Sequence, residues 1–131
     1  ANAIQVLNKH LFGYPEPTDG QAGYRLETVK SSSSNSIDMR LFKERLKKNI
    51  DAGYPLYYTF DNSKMYPGRS GEHNVIGIGY ELNSDASDII GVYYIDPSYT
   101  VQDPVYGGLK KVTPQELLTA MLTCQEPNYA W

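Results

Sequence analysis

Gly71-Glu72-His73-Asn74-Val75-Ile76-Gly77-Ile78-Gly79-Tyr80 is followed, after a polar stretch from Asn83 to Asp88, by Ile89-Ile90-Gly91-Val92-Tyr93-Tyr94-Ile95-Asp96-Pro97. Both runs are rich in isoleucine, valine and tyrosine, the residues that suit a pleated, half-buried surface. The spacing predicts strands over His73–Leu82 and Ile89–Asp96, joined as a hairpin. A turn centred between Ser84 and Asp85 sets His73 opposite Asp96, Val75 opposite Tyr94 and Gly77 opposite Val92. On the other face it sets Ile76 against Tyr93 and Ile78 against Gly91. Small residues then meet larger ones, which supports the register. Directly opposed side chains have Cβ atoms roughly 4.5–5.5 Å apart. In this register Asp96 accepts the Nδ1 proton of His73, which fixes the imidazole tautomer and leaves Nε2 to activate a nucleophile. The same pair also fits a plain structural hydrogen bond, and the residues alone leave both readings open.

Outward from the hairpin, helices flank the strands. Ala1 to Phe12 carries Ile4, Leu7 and Leu11 at helical spacing, with Gly13 as a C-cap and Asn2 as the only candidate N-cap. A helical pattern that runs up to the first residue predicts a helix that began earlier in a longer parent. Gly13 to Gly23 reads as a loop and Ser31 to Ser36 as a polar spacer. Ser36 caps a second helix whose apolar face is Ile37, Leu41, Phe42, Leu46 and Ile50, and Gly53 ends it. Pro55 to Phe60 reads as a short aromatic strand, Pro97 to Gly108 as a loop and Leu109 to Val112 as a last short strand. A third helix has Thr113 as cap, Pro114 in the first position and Glu116 completing a capping box. Its apolar face is Leu117, Leu118, Met121 and Leu122, and Pro127 stops it. The order predicts a single α+β domain over residues 1–131 with an antiparallel sheet.

The bulk composition narrows the function. The chain has 131 residues, 40% hydrophobic and 21% charged, with a formal net charge of -3, as for an ordinary globular domain. Nothing builds a basic field, so nucleic acid and anionic membrane are not expected as partners, and no apolar run is long enough for a membrane span. Lys43, Arg45, Lys47 and Lys48 alternate with Asp38, Glu44 and Asp51 as a solvated helix face. Twelve tyrosines against three phenylalanines lean toward an extracellular or cell-surface protein. The chain begins at Ala1 without an initiator methionine, which predicts a processed or shortened start.

Gly-Glu-His-Asn-Val-Ile-Gly-Ile-Gly-Tyr, then Val-Tyr-Tyr-Ile-Asp-Pro, then Val-Thr-Pro-Gln-Glu-Leu-Leu resembles the carboxy-terminal two thirds of a C39-like cysteine peptidase, from about Asp51 to Leu122. That resemblance implies a papain-like fold, in which an antiparallel sheet packs with N-terminal helices and a C-terminal helix. It implies His73 as general base and Asp96 as the acid that orients it, acting on a peptide or protein substrate without a cofactor. It also implies a nucleophilic cysteine at the start of the first helix and a glutamine further upstream in the oxyanion hole. Here Ala1-Asn2-Ala3-Ile4-Gln5-Val6-Leu7 looks like the continuation of that helix, so the nucleophile is expected ahead of Ala1. The chain alone is then catalytically incomplete. Its amino-terminal side is open to self-association.

The remaining polar candidates read as structural. His10 lies in the first helix without a partner pattern and reads as a surface or packing residue. Cys124, the only cysteine, follows the third helix and reads as a structural thiol. The Ser31–Ser34 cluster precedes a capped helix and reads as a loop rather than a source of nucleophiles. Two histidines far apart make no metal pattern. A second reading stays open beside the enzyme: a non-catalytic, peptidase-like binding module at a bacterial cell surface, holding a peptide or glycan on tyrosine-rich loops.

Overall fold

The computed structural model describes residues 2–131, and the side chain of Asn2, the candidate cap, lies outside the described part together with Ala1. Eleven elements follow in order: α1 (Asn2–Phe12), β1 (Leu26–Thr28), α2 (Ile37–Asp51), β2 (Leu56–Asp61), α3 (Asn62–Met65), β3 (Glu72–Leu82), β4 (Ile89–Ile95), a 3-10 turn (Tyr99–Val101), β5 (Leu109–Val112), α4 (Pro114–Leu122) and β6 (Asn128–Ala130). The strands form one six-stranded sheet in the order β1-β6-β2-β3-β4-β5, with every pairing antiparallel.

The α+β architecture follows from two amphipathic helices that cover one face of this sheet. Met39, Phe42 and Leu46 of α2 and Leu117, Leu118 and Met121 of α4 are buried against Leu56, Tyr58, Phe60, Val75, Val92 and Tyr94. Ser36 starts α2 by accepting the Met39 N–H, and Thr113 and Glu116 close the capping box of α4. Ile37, expected on the inner face of α2, is 65% exposed while Met39 is buried. The helical turn explains the exchange: Ile37 stands about 140° around the axis from Phe42, and Met39 only about 60°.

One glycine sets how closely the layers approach. Gly77 faces Leu56 across the β2–β3 pair, and a Cβ there would run into the ring of the buried Tyr58. The aromatic layer beneath it is packed edge to face, Phe42 against Tyr58 and Tyr129, and Phe60 against Tyr94.

Helix α1 departs from its sequence reading. Ile4 and Leu7 are half-buried, Leu11 is 55% exposed and the fully buried position is Asn8. Asn8 uses its whole amide: Nδ2 donates to the carbonyls of Pro15 and Tyr24, and Oδ1 accepts the Tyr24 N–H. These bonds tie the helix to the segment that holds Pro15 and Tyr24. The strands β1 and β6, with three residues each, and the four-residue α3 also lie outside the sequence reading.

Candidate active site

His73 and Asp96 sit at one end of the sheet. His73 is the second residue of β3 and pairs across β2 with Phe60, so its side chain shares the face of Phe60, Val75 and Tyr94. Asp96 follows the last residue of β4. The hairpin register differs from the sequence reading: Ile76 pairs with Ile95, not Tyr93, and Gly77 with Tyr94, not Val92. The cause is the turn. Asn83 Oδ1 accepts the N–H groups of Ser87 and Asp88, the Asn83 N–H donates to the Asp88 carbonyl, and Ala86 takes a left-handed φ of 59°. This cradle moves the centre of the turn along the chain and slides β4 by two residues near His73. Further on, a β-bulge between Gly77 and Gly79 shifts the ladder again.

A slide of two keeps every side chain near the site on its face, since strand alternation has period two. Asp96 therefore still reaches His73, but diagonally. Nε2 of His73 lies 2.7 Å from Asp96 Oδ1. The sequence reading put this bond on Nδ1. The diagonal offset lengthens the reach, and Nε2 is the nitrogen at the far end of the ring. Among the described residues Nδ1 makes no hydrogen bond.

The carboxylate is 1% exposed and its two oxygens are occupied. Oδ1 accepts from His73 and from the Ser98 N–H at 2.9 Å, and Oδ2 accepts from the Tyr66 hydroxyl at 2.6 Å. Burial by itself would raise the Asp96 carboxyl, but the hydrogen bonds from Tyr66, His73 and Ser98 outweigh it and hold the group below its ordinary range. An ionised Asp96 only accepts, so Nε2 carries a proton, and in the neutral form of the ring this tautomer has its lone pair at Nδ1. The His73 side chain is 22% exposed, buried enough to be held and open enough to be met. Phe60 packs edge-on against the ring.

The backbone of Asp96 is clamped as well. Its N–H donates to the Gly108 carbonyl and its carbonyl accepts from Gln102 Nε2 at 3.0 Å. A Cβ at Gly108 would strike the Asp96 carbonyl, so the close approach of the two segments needs glycine there. Ser98 was legible in principle, because Asp-Pro-Ser is an Asx-turn sequence. Tyr66, Gln102 and Gly108 carry no local signal that points to Asp96.

The amino end of α1 lies beside this end of the sheet, across a groove of about 400 Å³. Ala3 and Ile4 form one wall, and Asn74, Val75 and Pro97, chain neighbours of His73 and Asp96, form part of the other. His73 itself is not among the residues that line this groove, although its chain neighbours Asn74 and Val75 are. Cys124 is buried, its thiol is directed at the Ala120 carbonyl, and burial with the nearby charges of Glu72 and Asp61 pushes it up to about 11. Such a thiol supplies almost no thiolate near neutrality. The serines at 31–36 serve the spacer and the α2 cap, and His10 is exposed.

A family model described as Peptidase_C39 like family matches residues 1–119. No curated protein and no solved structure matches the chain.

Proposed function

Because the chain belongs to the Peptidase_C39 like family, we propose that it is a papain-like cysteine peptidase domain, or a related thiol amide hydrolase, in which His73 is the general base and Asp96 orients it. One observation carries this reading. Nε2 of His73 is bound to a buried carboxylate that is itself fully hydrogen-bonded, while Nδ1 makes no hydrogen bond among the described residues and the ring is partly exposed. A structural histidine gains nothing from an unpartnered nitrogen held in place; a general base requires one.

The chemistry then runs through Nδ1. It takes the thiol proton as sulfur attacks the carbonyl carbon of the scissile amide, and Asp96 stabilises the imidazolium that forms. As the tetrahedral intermediate collapses, the proton passes from Nδ1 to the departing amine and an acyl-thioester remains. Water attacks that thioester as Nδ1 takes one of its protons, the C–S bond breaks to release the carboxylic acid, and the proton on Nδ1 returns to the sulfur. The attacking thiol is not Cys124, which is buried and raised. On this reading the thiol belongs at the start of the family's first helix, ahead of Ala1, and the 131 residues by themselves are expected to be inactive. An assay with a casein and an ester substrate tests this. No turnover above background is expected. Turnover that disappears in His73→Ala and survives in Cys124→Ala would move the nucleophile elsewhere in the chain.

A second reading has its own support. Tyr99 is 87% exposed, Val105 80% and Tyr106 69%, all on the loop that follows Asp96. A binding module that has dispensed with catalysis would use such a surface to hold a peptide or glycan. The residue at the amino end of the extended first helix separates the two: cysteine there supports the enzyme and any other residue supports the module.

A further inference from the structure

Tyr66 follows α3 as its C-cap, with extended backbone angles and its N–H bonded to the Asn62 carbonyl. Its ring packs edge-on against Phe60, with centroids 6.1 Å apart. That packing carries the hydroxyl under the sheet to Asp96 Oδ2 at 2.6 Å and to the Tyr94 hydroxyl at 2.9 Å. Tyr66 has one hydroxyl proton. The ionised carboxylate cannot donate, so that proton goes to Asp96 and Tyr94 must be the donor to Tyr66. The result is a directed series, Tyr94 to Tyr66 to Asp96, which meets the bond from His73 Nε2 on the other oxygen.

We propose that Tyr66 is a positioning residue of the site: its hydroxyl fixes the Asp96 carboxylate so that Oδ1 holds Nε2 of His73 and Nδ1 stays open. This rests on the reading of His73 and Asp96 given above. Each carboxylate oxygen has its own donors, so the group cannot turn about its last torsion without breaking a bond in a buried place. Without the Tyr66 hydroxyl, Oδ2 is left unpaired. The carboxyl then gains a reason to rotate or to take up a proton, and either event releases Nε2. The groups that face Asp96 are His73 from β3, Tyr94 from β4, Tyr66 from the segment after α3, and the Ser98 N–H from its own loop; Glu116 of α4 is the further charge that reaches Tyr94. Tyr66 therefore sets the protonation of Asp96 more than any outlying charge does.

The test uses this chain, labelled for NMR, with Tyr66→Phe as the variant that keeps the ring and deletes only the hydroxyl. The Asp96 carboxyl carbon is titrated, and the His73 ring is followed by long-range proton–nitrogen correlation, which with only two histidines is unambiguous. Tyr66→Phe is expected to make Asp96 about fivefold weaker as an acid, the equivalent of one net hydrogen bond, and to speed exchange of the His73 Nε2 proton. Tyr94→Phe, which only weakens the Tyr66 donor, shifts Asp96 in the same direction by less. A folded Tyr66→Phe with an unchanged Asp96 midpoint and an unchanged Nε2 proton overturns the inference. If Tyr66→Phe does not fold, an unshifted Asp96 in Tyr94→Phe overturns it. A parent chain with the His73 proton on Nδ1 would sink the reading of the pair itself, and this inference with it.

Discussion

His73 Nε2 and Asp96 Oδ1 stand 2.7 Å apart although the two residues are offset diagonally, two positions from a direct cross-strand pair. The offset selects which nitrogen is engaged and so decides which nitrogen can act as base. The pair itself rests on a buried carboxylate whose hydrogen bonds favour its ionised form.

That dependence gives a pH prediction. The Asp96 carboxyl is held below its ordinary range by its hydrogen bonds against the effect of burial. A group depressed in the folded state contributes stability that is complete above its unfolded value, ~3.9, and is lost as pH falls through the lower folded value. Asp96→Asn is expected to cost about 1–3 kcal/mol near neutrality. The gap between parent and variant should close in acid, below the ordinary carboxylate range. Urea melts of both across that range check it; a gap that stays constant in acid contradicts the ionised, hydrogen-bonded Asp96.

Tyr58 and Gly77 yield a pair of opposite effects. The Tyr58 hydroxyl is buried and has no hydrogen-bond partner among the described residues. Tyr58→Phe removes that uncompensated group and should leave stability unchanged or raise it by up to ~1 kcal/mol. Gly77→Ala drives a methyl into the same ring and should destabilise by ~2 kcal/mol or more. Thermal melts of the two variants measure this, and a tolerated Gly77→Ala would show that β2 and β3 lie less tightly on the aromatic layer.

Cys124 should be slow toward alkylating reagents in the folded chain and fast once the chain is unfolded, because burial raises its thiol and closes access. Iodoacetamide labelling with and without urea reads this directly. Rapid labelling of the native thiol would return Cys124 to the set of candidate nucleophiles.

The sequence made some elements plain and hid others for physical reasons. Helix α4 was legible because Thr113, Pro114 and Glu116 are local signals that act within one turn. The face shared by His73 and Asp96 was legible from strand alternation. The nitrogen that makes the bond was not, because it depends on where the turn centres, and the Asn83 cradle that decides this is a matter of side-chain hydrogen bonds. Strands β1 and β6 pair residues from opposite ends of the chain, Leu26 with Ala130, and three-residue strands have no period to read. The burial of Asn8 was hidden because a polar residue is buried there only by virtue of its bonds to Pro15 and Tyr24. Tyr66 was hidden likewise, its role set by a contact with a residue thirty positions away.

The most direct test of the central claim extends the chain at its amino end with any residues its gene encodes ahead of Ala1. The rate of iodoacetamide alkylation of a cysteine there is then measured against pH, in the parent and in His73→Ala. If His73 is the base for that thiol, the parent reacts about tenfold or more faster near neutral pH than an ordinary thiol, and His73→Ala returns it to the ordinary rate. The absence of a cysteine in that segment, or a rate that is the same with and without His73, would contradict the account.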